Sequence, residues 1–561
     1  DRERALALAK INGWEIYKFN EDGSFDELVG LYPDGSPKYF SLNNTAAALS
    51  SRASFLNSGG AMGLQLDGQN MVAGVWDGGP VRVSHQEFNN RVTIGDGVFN
   101  LNNNSFHATH VTGTVAAAGV DFSAKGMANQ ASVKSFTWTN DEAEVLQEIQ
   151  NGLLLSNHSY GTPLANSPGD WYPGAYSPDA RVWDQIHYVS PYYLMIVSAG
   201  NDGGNANPSP TTFGFDKLMG NKNAKNNLVI ANALDANINV NGDLVSVNIN
   251  AGSSQGPSDD LRIKPDITGN GSGLYSTNST GDSAYLTISG TSMASPNVMG
   301  TLLLIQQHYS NLNQKFLKAS TLKGLACHTA DDAGLVGPDA RFGWGLINAK
   351  AAANVITNNG LNSWVSEERL NQNQVFTKTV KSTNNTPLIA TICWTDVPGT
   401  ANIGVLNDPT PALVNDLDIR ITQGSSVFYP WKLQPDATRA ALRNSDNNVD
   451  TVESVKIDNA NGGDYTITIT HKGTLVDNFQ DFGLVITGVQ SSFGFVPQGY
   501  DQVLCSSENA VFGFNFRKTS GPNVTFSVTD VPQGALAEFS STSLNSDGFF
   551  SLTVSQLNAV N

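Results

Sequence analysis

Residues 192–201, YYLMIVSAGN, form an unbroken apolar run that ends in a polar side chain among glycines. This is how a strand buried on both faces reads when its last residue emerges at a sheet edge. Working outward, MVAGVWD (71–77), ASVKSFTW (131–138), GLLLSNHSYG (152–161) and NLVIANA (227–233) repeat the pattern. Between them EAEVLQEIQ (142–150) and ARVWDQIHYVS (180–190) carry apolar residues at helical spacing, and each helix returns the chain for the next parallel strand. The spacing predicts an α/β domain with a parallel sheet. It reaches FGWGLINAKAAANVI (342–356) and ends at the Gly- and Asn-rich TNNGLN (357–362).

On either side the pattern changes. Beyond about residue 360, TPLIATICW, LDIRITQ, YTITITH and FGLVITGV alternate apolar and polar residues, which predicts an all-β sandwich. A further series from about Ser491, with AVFGFNF and VTFSVTDV, has few strands for a complete Ig-like sandwich and is expected to be truncated. Before the α/β domain, two strand pairs are expected to turn at Asp22-Gly23 and Asp34-Gly35, where Gly supplies the positive φ of a tight turn. The expected segments are therefore 1–44, 45–358, 359–490 and 491–561.

Bulk properties exclude some functions. With 561 residues two to four domains are expected. The 32 Lys and Arg against 50 Asp and Glu leave a net charge of −18, which disfavours nucleic acid and anionic membrane as partners. Three widely spaced cysteines, Cys327, Cys393 and Cys505, suggest neither a disulfide framework nor a zinc cluster. The most apolar run, TLLLI (301–305), is too short to span a bilayer. Low charge with abundant Asn, Ser, Thr and Gly resembles secreted bacterial enzymes.

Four residues carry the chemistry. His107 opens HATHVTGTVAAAG, a run of small and β-branched residues that starts a tightly packed helix. Ser292 lies in ISGTSMASPNVMGTLLLIQQ at the first turn of an apolar helix, where free N–H groups and the macrodipole favour negative charge. Asp77 ends the strand of VAGVWDGG, and Asn201 ends that of IVSAGNDGG. A carboxylate there can hold an imidazole in one tautomer, and an amide can donate to an oxyanion. Each residue alone has an ordinary explanation: a surface histidine, an N-cap serine, a turn aspartate, a turn asparagine. Together, in one order at the strand edges and helix starts of one domain, they form a specific pattern.

At these motifs the chain resembles the subtilase family: a strand ending in Asp, H-x-T-H-V-x-G-T, A-G-N and G-T-S-M-A-S-P, in the order Asp, His, Ser. SSQGPSDDLRIKPDI (253–267) and HTADDAGLVGPDARFGWGLINA (328–349) extend the likeness over roughly residues 60 to 355. The resemblance implies a subtilisin-like α/β catalytic domain followed by all-β sandwich domains, and a secreted serine endopeptidase acting on protein or peptide substrates. It makes Ser292 the nucleophile, His107 the general base and then acid, Asp77 the residue orienting His107, and Asn201 the oxyanion-hole donor. It places the substrate backbone along Ser159-Tyr160-Gly161 and Ser198-Ala199-Gly200, beside the S1 pocket, and implies broad cleavage after apolar side chains. The chemistry needs no cofactor.

Two neighbours depart from the family pattern: Gly78 where Ser or Thr usually follows the catalytic Asp, and Ala108 where Gly usually follows the His. His85 and His110 are expected to be structural, as is Cys327 beside His328. The insertion from Thr162 to about Pro178 is expected to restrict the cleft. WTDVPG, LVNDLDIRI and NSDNNVDTVESVKI resemble the C-terminal jelly-roll domain of some bacterial alkaline subtilases and, distantly, the P domain of kexin-like enzymes. There Asp416, Asp418 and Asp446 are candidate ligands for a structural Ca²⁺, although acidic residues in β turns are more often solvated or capping. Residues 1–44 resemble either the end of an inhibitory pro-segment or a retained extension. Two other classes compete: a catalytically silent subtilase-like binding or adhesion protein, against which the complete triad argues, and a sedolisin, which would carry Glu for His107 and Asp for Asn201.

Overall fold

The computed structural model describes residues 2–557 apart from 20–24, 32–34, 36, 42, 211–213, 492, 498–503, 505–507 and 519–520. The chain opens with helix α1 (Arg2–Asn12) and an antiparallel sheet of β1 (Tyr17–Phe19), β2 (Phe25–Leu31) and β3 (Pro37–Ser41). The strands agree with the sequence reading; the helix was not foreseen. Its small residues Ala5 and Ala9 let it lie against Leu28 of β2, so burial rather than an amphipathic stripe of large side chains holds it. Asp22-Gly23 and Asp34 lie outside the described residues, while Gly35 has the turn-type φ of +83°.

Helices α2 (Asn43–Ser50) and α3 (Ala53–Leu56) lead into a seven-stranded sheet. Its strands are β4 (Val72–Asp77), β5 (Val92–Ile94), β6 (Ser132–Thr137), β7 (Leu155–His158), β8 (Leu194–Ser198), β9 (Leu228–Ala233) and, after the hairpin β10 (Asn237–Ile238) and β11 (Leu244–Ser246), β12 (Ile267–Asn270). They pair in parallel in the order β12-β9-β8-β7-β4-β6-β5. Alternation explains the continuous apolar runs. Val75, Leu194 and Ile196 face one core with α4 (Ser105–Ala116) and α7 (Thr291–Asn313), whereas Trp76, Met195 and Val197 face another with α5 (Asp141–Gln150) and α6 (Pro178–Tyr188). Both faces are covered, as parallel sheets require. The two edge strands, β5 and β12, escaped the sequence reading because one has three residues and the other, ITGN, lacks a run of apolar side chains.

A short hairpin, β13 (Leu274–Thr277) and β14 (Tyr285–Ile288), precedes α7; α8 (Ala319–Thr329) and α9 (Ala349–Thr357) complete this part. The strands that follow form two four-stranded antiparallel sheets. One comprises Ser363–Asn371, Phe479–Thr487, Thr386–Cys393 and Val452–Ala460; the other Phe376–Ser382, Gly463–His471, Leu417–Gln423 and Ser426–Phe428. Ile392, Leu417, Ile467 and Leu484 from both sheets share one core, the sandwich expected from the alternation. Helix α8 lies flush on the first sheet, where a Cβ on Gly324 would come within 2.8 Å of Cys393 Cβ. Lys225, fully buried, pairs with the equally buried Asp396 and donates to Val397 O (2.6 Å) and Ala412 O (2.9 Å), tying the α/β part to the sandwich. Near the C-terminal end Phe493–Pro497, Ala510–Lys518, Gly548–Ser555 and Leu536–Phe539 form a further sheet.

Candidate active site

Asp77, the last residue of β4, is 1% exposed. Its two oxygens lie 2.8 and 2.9 Å from His107 Nδ1 in the first turn of α4. The backbone N–H of Gly78 also donates to Asp77 Oδ1 at 2.7 Å, so the carboxylate is oriented from two sides. Burial works to lower the His107 pKa, but the charge and hydrogen bond of Asp77 outweigh it and raise the value above that of free imidazole. The departure at Gly78 has a steric cause: a Cβ there would sit 2.8 Å from the Trp138 indole and 2.9 Å from Asn104 Nδ2. In place of a neighbouring hydroxyl, Asn102 and Asn104 donate to Gly78 O at 3.2 and 3.3 Å. Ala108 is fully buried.

Ser292 is at the second position of α7, where the helix N-terminus favours negative charge. Its Oγ donates to Ser159 O (3.2 Å), and Ser159 Oγ donates to Ser292 O (2.9 Å), so the serine is locked to the end of β7. Asn201 is placed by a residue the sequence reading passed over. Thr291 N and Oγ1 both donate to Asn201 Oδ1, at 3.0 and 3.1 Å, and Thr291 Oγ1 accepts from Gly200 N at 3.1 Å. With Oδ1 held, the amide presents Nδ2 as the donor. The threonine is visible in G-T-S, but its task depends on two segments 90 residues apart meeting.

The two backbone segments differ. Tyr160-Gly161 follows β7 and borders an open cleft of about 390 Å³ with Trp138, Asp141 and Trp183. Behind it a polar chain runs from Tyr193 through Ser156, His158 and Tyr160 to Asp141. In Ser198-Ala199-Gly200, by contrast, Ala199 N bonds Ile230 O, and Gly200 O accepts from Ser254 N. This second segment is a wall, not an open strand edge. The 162–178 insertion packs back through Leu164, Trp171 and Tyr172 against Met219, and Leu164 N donates to Asp202 Oδ2 at 3.1 Å.

His110 and His85 are structural. Nε2 of His110 meets the carbonyls of Leu274 and Leu286, both at 3.0 Å, and burial pushes its pKa down to about 4. Nε2 of His85 meets Ala284 O at 2.8 Å. Cys327 is buried and unbridged in α8, its thiol raised well above the usual range by burial, so it is no nucleophile.

Asp416, Asp418 and Asp446 do converge, but on cations of the chain. Lys472 Nζ lies 2.5 Å from Asp418, 3.4 Å from Asp416 and 3.9 Å from Asp446, and Arg420 lies 2.5 Å from Asp446. The Lys472 ammonium thus supplies positive charge among the three carboxylates, while Asp416 Oδ1 and Asp446 Oδ1 are buried without a hydrogen-bond partner. Among the described residues no group of three or more His, Cys, Asp or Glu side chains is placed to hold a metal. Among the described residues no helix is long and apolar enough to cross a membrane.

An aspartate-held imidazole, a serine at a helix start and a fixed amide on one sheet edge are the parts of an acyl-transfer site. Residues 68–345 match the family model described as the subtilase family. The chain is 26% identical over 302 residues to Subtilisin DY of Bacillus licheniformis, covering 51% of this chain and 92% of that protein. It is 26% identical over 306 residues to the alkaline extracellular protease of Yarrowia lipolytica, covering 52% of this chain and 57% of that protein. To Subtilisin Savinase of Lederbergia lenta it is 23% identical over 256 residues, 44% of this chain and 77% of that protein. The α/β part, residues 68–345, is thus a subtilisin-like serine endopeptidase domain.

Proposed function

We propose that the chain is a secreted endopeptidase of broad specificity that cleaves through an acyl-enzyme on Ser292. The carrying observation is the pair of contacts, 2.8 and 2.9 Å, that fix His107 Nδ1 on Asp77. With Nδ1 so engaged, Nε2 is the basic nitrogen that takes the Ser292 proton. The tetrahedral oxyanion is met by Asn201 Nδ2 and the Ser292 N–H, and the imidazolium then protonates the leaving amine. Water repeats the sequence to release the acyl group. The substrate backbone lies along Ser159-Tyr160-Gly161, with Ser198-Ala199-Gly200 as the facing wall. No cofactor takes part in these steps.

Secretion is supported by the extracellular protease among the relatives and by the low charge for the length with abundant Asn, Ser, Thr and Gly. Segments 1–44, 45–358, 359–490 and 491–561 are proposed as the units of the chain. The first has its own small core around Ala5, Ala9 and Leu28 and is proposed to separate from the active enzyme. N-terminal sequencing of active material tests this, since a start at Asp1 would rule it out. The activity is tested by casein hydrolysis: the properly processed protein should degrade casein and Ser292→Ala should not. Equal hydrolysis by both would end the assignment.

A further inference from the structure

Beside the Tyr160-Gly161 edge lies a buried ammonium that the triad does not use. Lys222 is 3% exposed and belongs to the turn Gly220–Asn223, which is braced by Asn223 Nδ2 on Leu218 O (2.9 Å) and Asn227 Nδ2 on Asn221 O (2.7 Å). Its Nζ rests against the edge: a Cβ on Gly161 would overlap it, and it donates to Tyr160 O at 3.4 Å. That is a long bond, and an ammonium carries three donors. Among the described residues Lys222 makes no other hydrogen bond and no ion pair. An ammonium taken out of water is costly without an anion to meet it, and burial pulls its pKa down to about 8.

The anion whose charge acts on Lys222 is Asp202, the residue after Asn201, but its oxygens are already engaged. Oδ2 accepts from Leu164 N (3.1 Å) and Oδ1 from Asn205 Nδ2 (2.8 Å). Asp202 also acts on a second cation, Lys217, whose Nζ donates to Gly203 O at 2.6 Å. Two ammoniums thus share one carboxylate between the edge at Gly161 and the end of the facing wall, which leaves positive charge there. The outer cleft has the opposite sign, with Asp141, Glu142 and Asp179 in its lining. An acidic side chain of a substrate is repelled by the outer cleft and attracted to the Lys222 side.

The register of the substrate follows from Ser292. Its Oγ donates to Ser159 O at 3.2 Å, so on a substrate lying along Ser159-Tyr160-Gly161 the residue whose carbonyl is attacked is level with the start of this edge. Gly161 is two residues, about 6.6 Å, further along an extended chain, within reach of that residue's side chain. We propose that Lys222 is a specificity-determining residue that selects an acidic side chain on the residue whose carbonyl Ser292 attacks, its ammonium meeting the substrate carboxylate beside Gly161. This selection rests on the proposed endopeptidase activity and narrows its breadth. Gly161 keeps the ammonium at the edge, since a side chain there would push it away.

The test measures kcat/KM of the properly processed protein on three chromogenic peptides that differ only in the residue before the scissile bond: Glu, its neutral isostere Gln, and Leu. The Glu peptide should be cleaved roughly 10- to 100-fold faster than the Gln peptide, as a charged hydrogen bond made in the transition state would give. In Lys222→Met that ratio should fall to about one. A parent that cleaves the Leu peptide but takes Glu no faster than Gln overturns the role of Lys222 and leaves the peptidase activity standing, whereas cleavage of none of the three overturns both. A preference for Glu that survives in a folded Lys222→Met also overturns it. The ratio in the parent needs no variant, so it decides the matter even if Lys222→Met does not fold.

Discussion

Replacing Thr291 by Val tests the way Asn201 is held. The change keeps the shape of a fully buried side chain and deletes one oxygen with two jobs: donating to Asn201 Oδ1 (3.1 Å) and accepting from Gly200 N (3.1 Å). Asn201 retains the bond from Thr291 N, so its amide is loosened rather than released. One hydrogen bond is worth ~0.5–1.5 kcal/mol net, which, if passed to the transition state, lowers kcat about two- to thirteenfold. The stranded Gly200 N–H costs a further ~1–3 kcal/mol of stability. Asn201→Ala removes the donor itself and should cost ~10²–10³ in kcat, typical of one oxyanion-hole donor. The assay is a double-mutant cycle: kcat on a chromogenic peptide for parent, each single variant and the pair, with melting temperatures in parallel. In the Asn201→Ala background Thr291→Val should leave kcat nearly unchanged while still lowering the melting temperature. An equal kcat loss in both backgrounds would show that Thr291 does not act through Asn201.

The pH profile should carry the mark of Asp77. His107 must be neutral to accept a proton, and its pKa is raised, so kcat/KM should be low in acid and climb through a value above the ~6.5 of free imidazole; a midpoint below that value would contradict the electrostatics. Gly78→Ser, which restores the residue usual in the family, should cost about 1–3 kcal/mol in thermal unfolding because its Cβ meets the Trp138 indole, and no loss would show that the indole yields freely. Lys225→Met should destabilise by about 3–5 kcal/mol by leaving Asp396 buried without its partner. Adding Asp396→Leu should recover much of that loss in chemical denaturation, and a double variant as unstable as the single would rule out the unpaired charge as the cause.

What the sequence disclosed follows from how far each signal reaches along the chain. Trp76 and Val75 face opposite cores, so β4 reads as a continuous apolar run without any tertiary knowledge, and the sandwich strands declare themselves by alternation. The short edge strands Val92–Ile94 and Ile267–Asn270 gave no such run. The helix at Arg2–Asn12 was hidden because its buried face is two alanines. Asp77, His107, Asn201 and Ser292 were legible as a set because each lies in a short motif of its own. Thr291 is also printed in one of those motifs, but its role arises only when residues 201 and 291 are brought together. The acidic turns around Asp416 offered a cation-binding composition, and only the fold shows Lys472 among them.

The central claim, that Ser292 is the nucleophile activated by His107, is tested most directly by treating the purified, processed protein with a fluorophosphonate and locating the adduct by mass spectrometry. The expected result is one covalent adduct, on Ser292, lost in Ser292→Ala and formed far more slowly in His107→Ala. An unlabelled parent, or labelling that persists in Ser292→Ala, would contradict it.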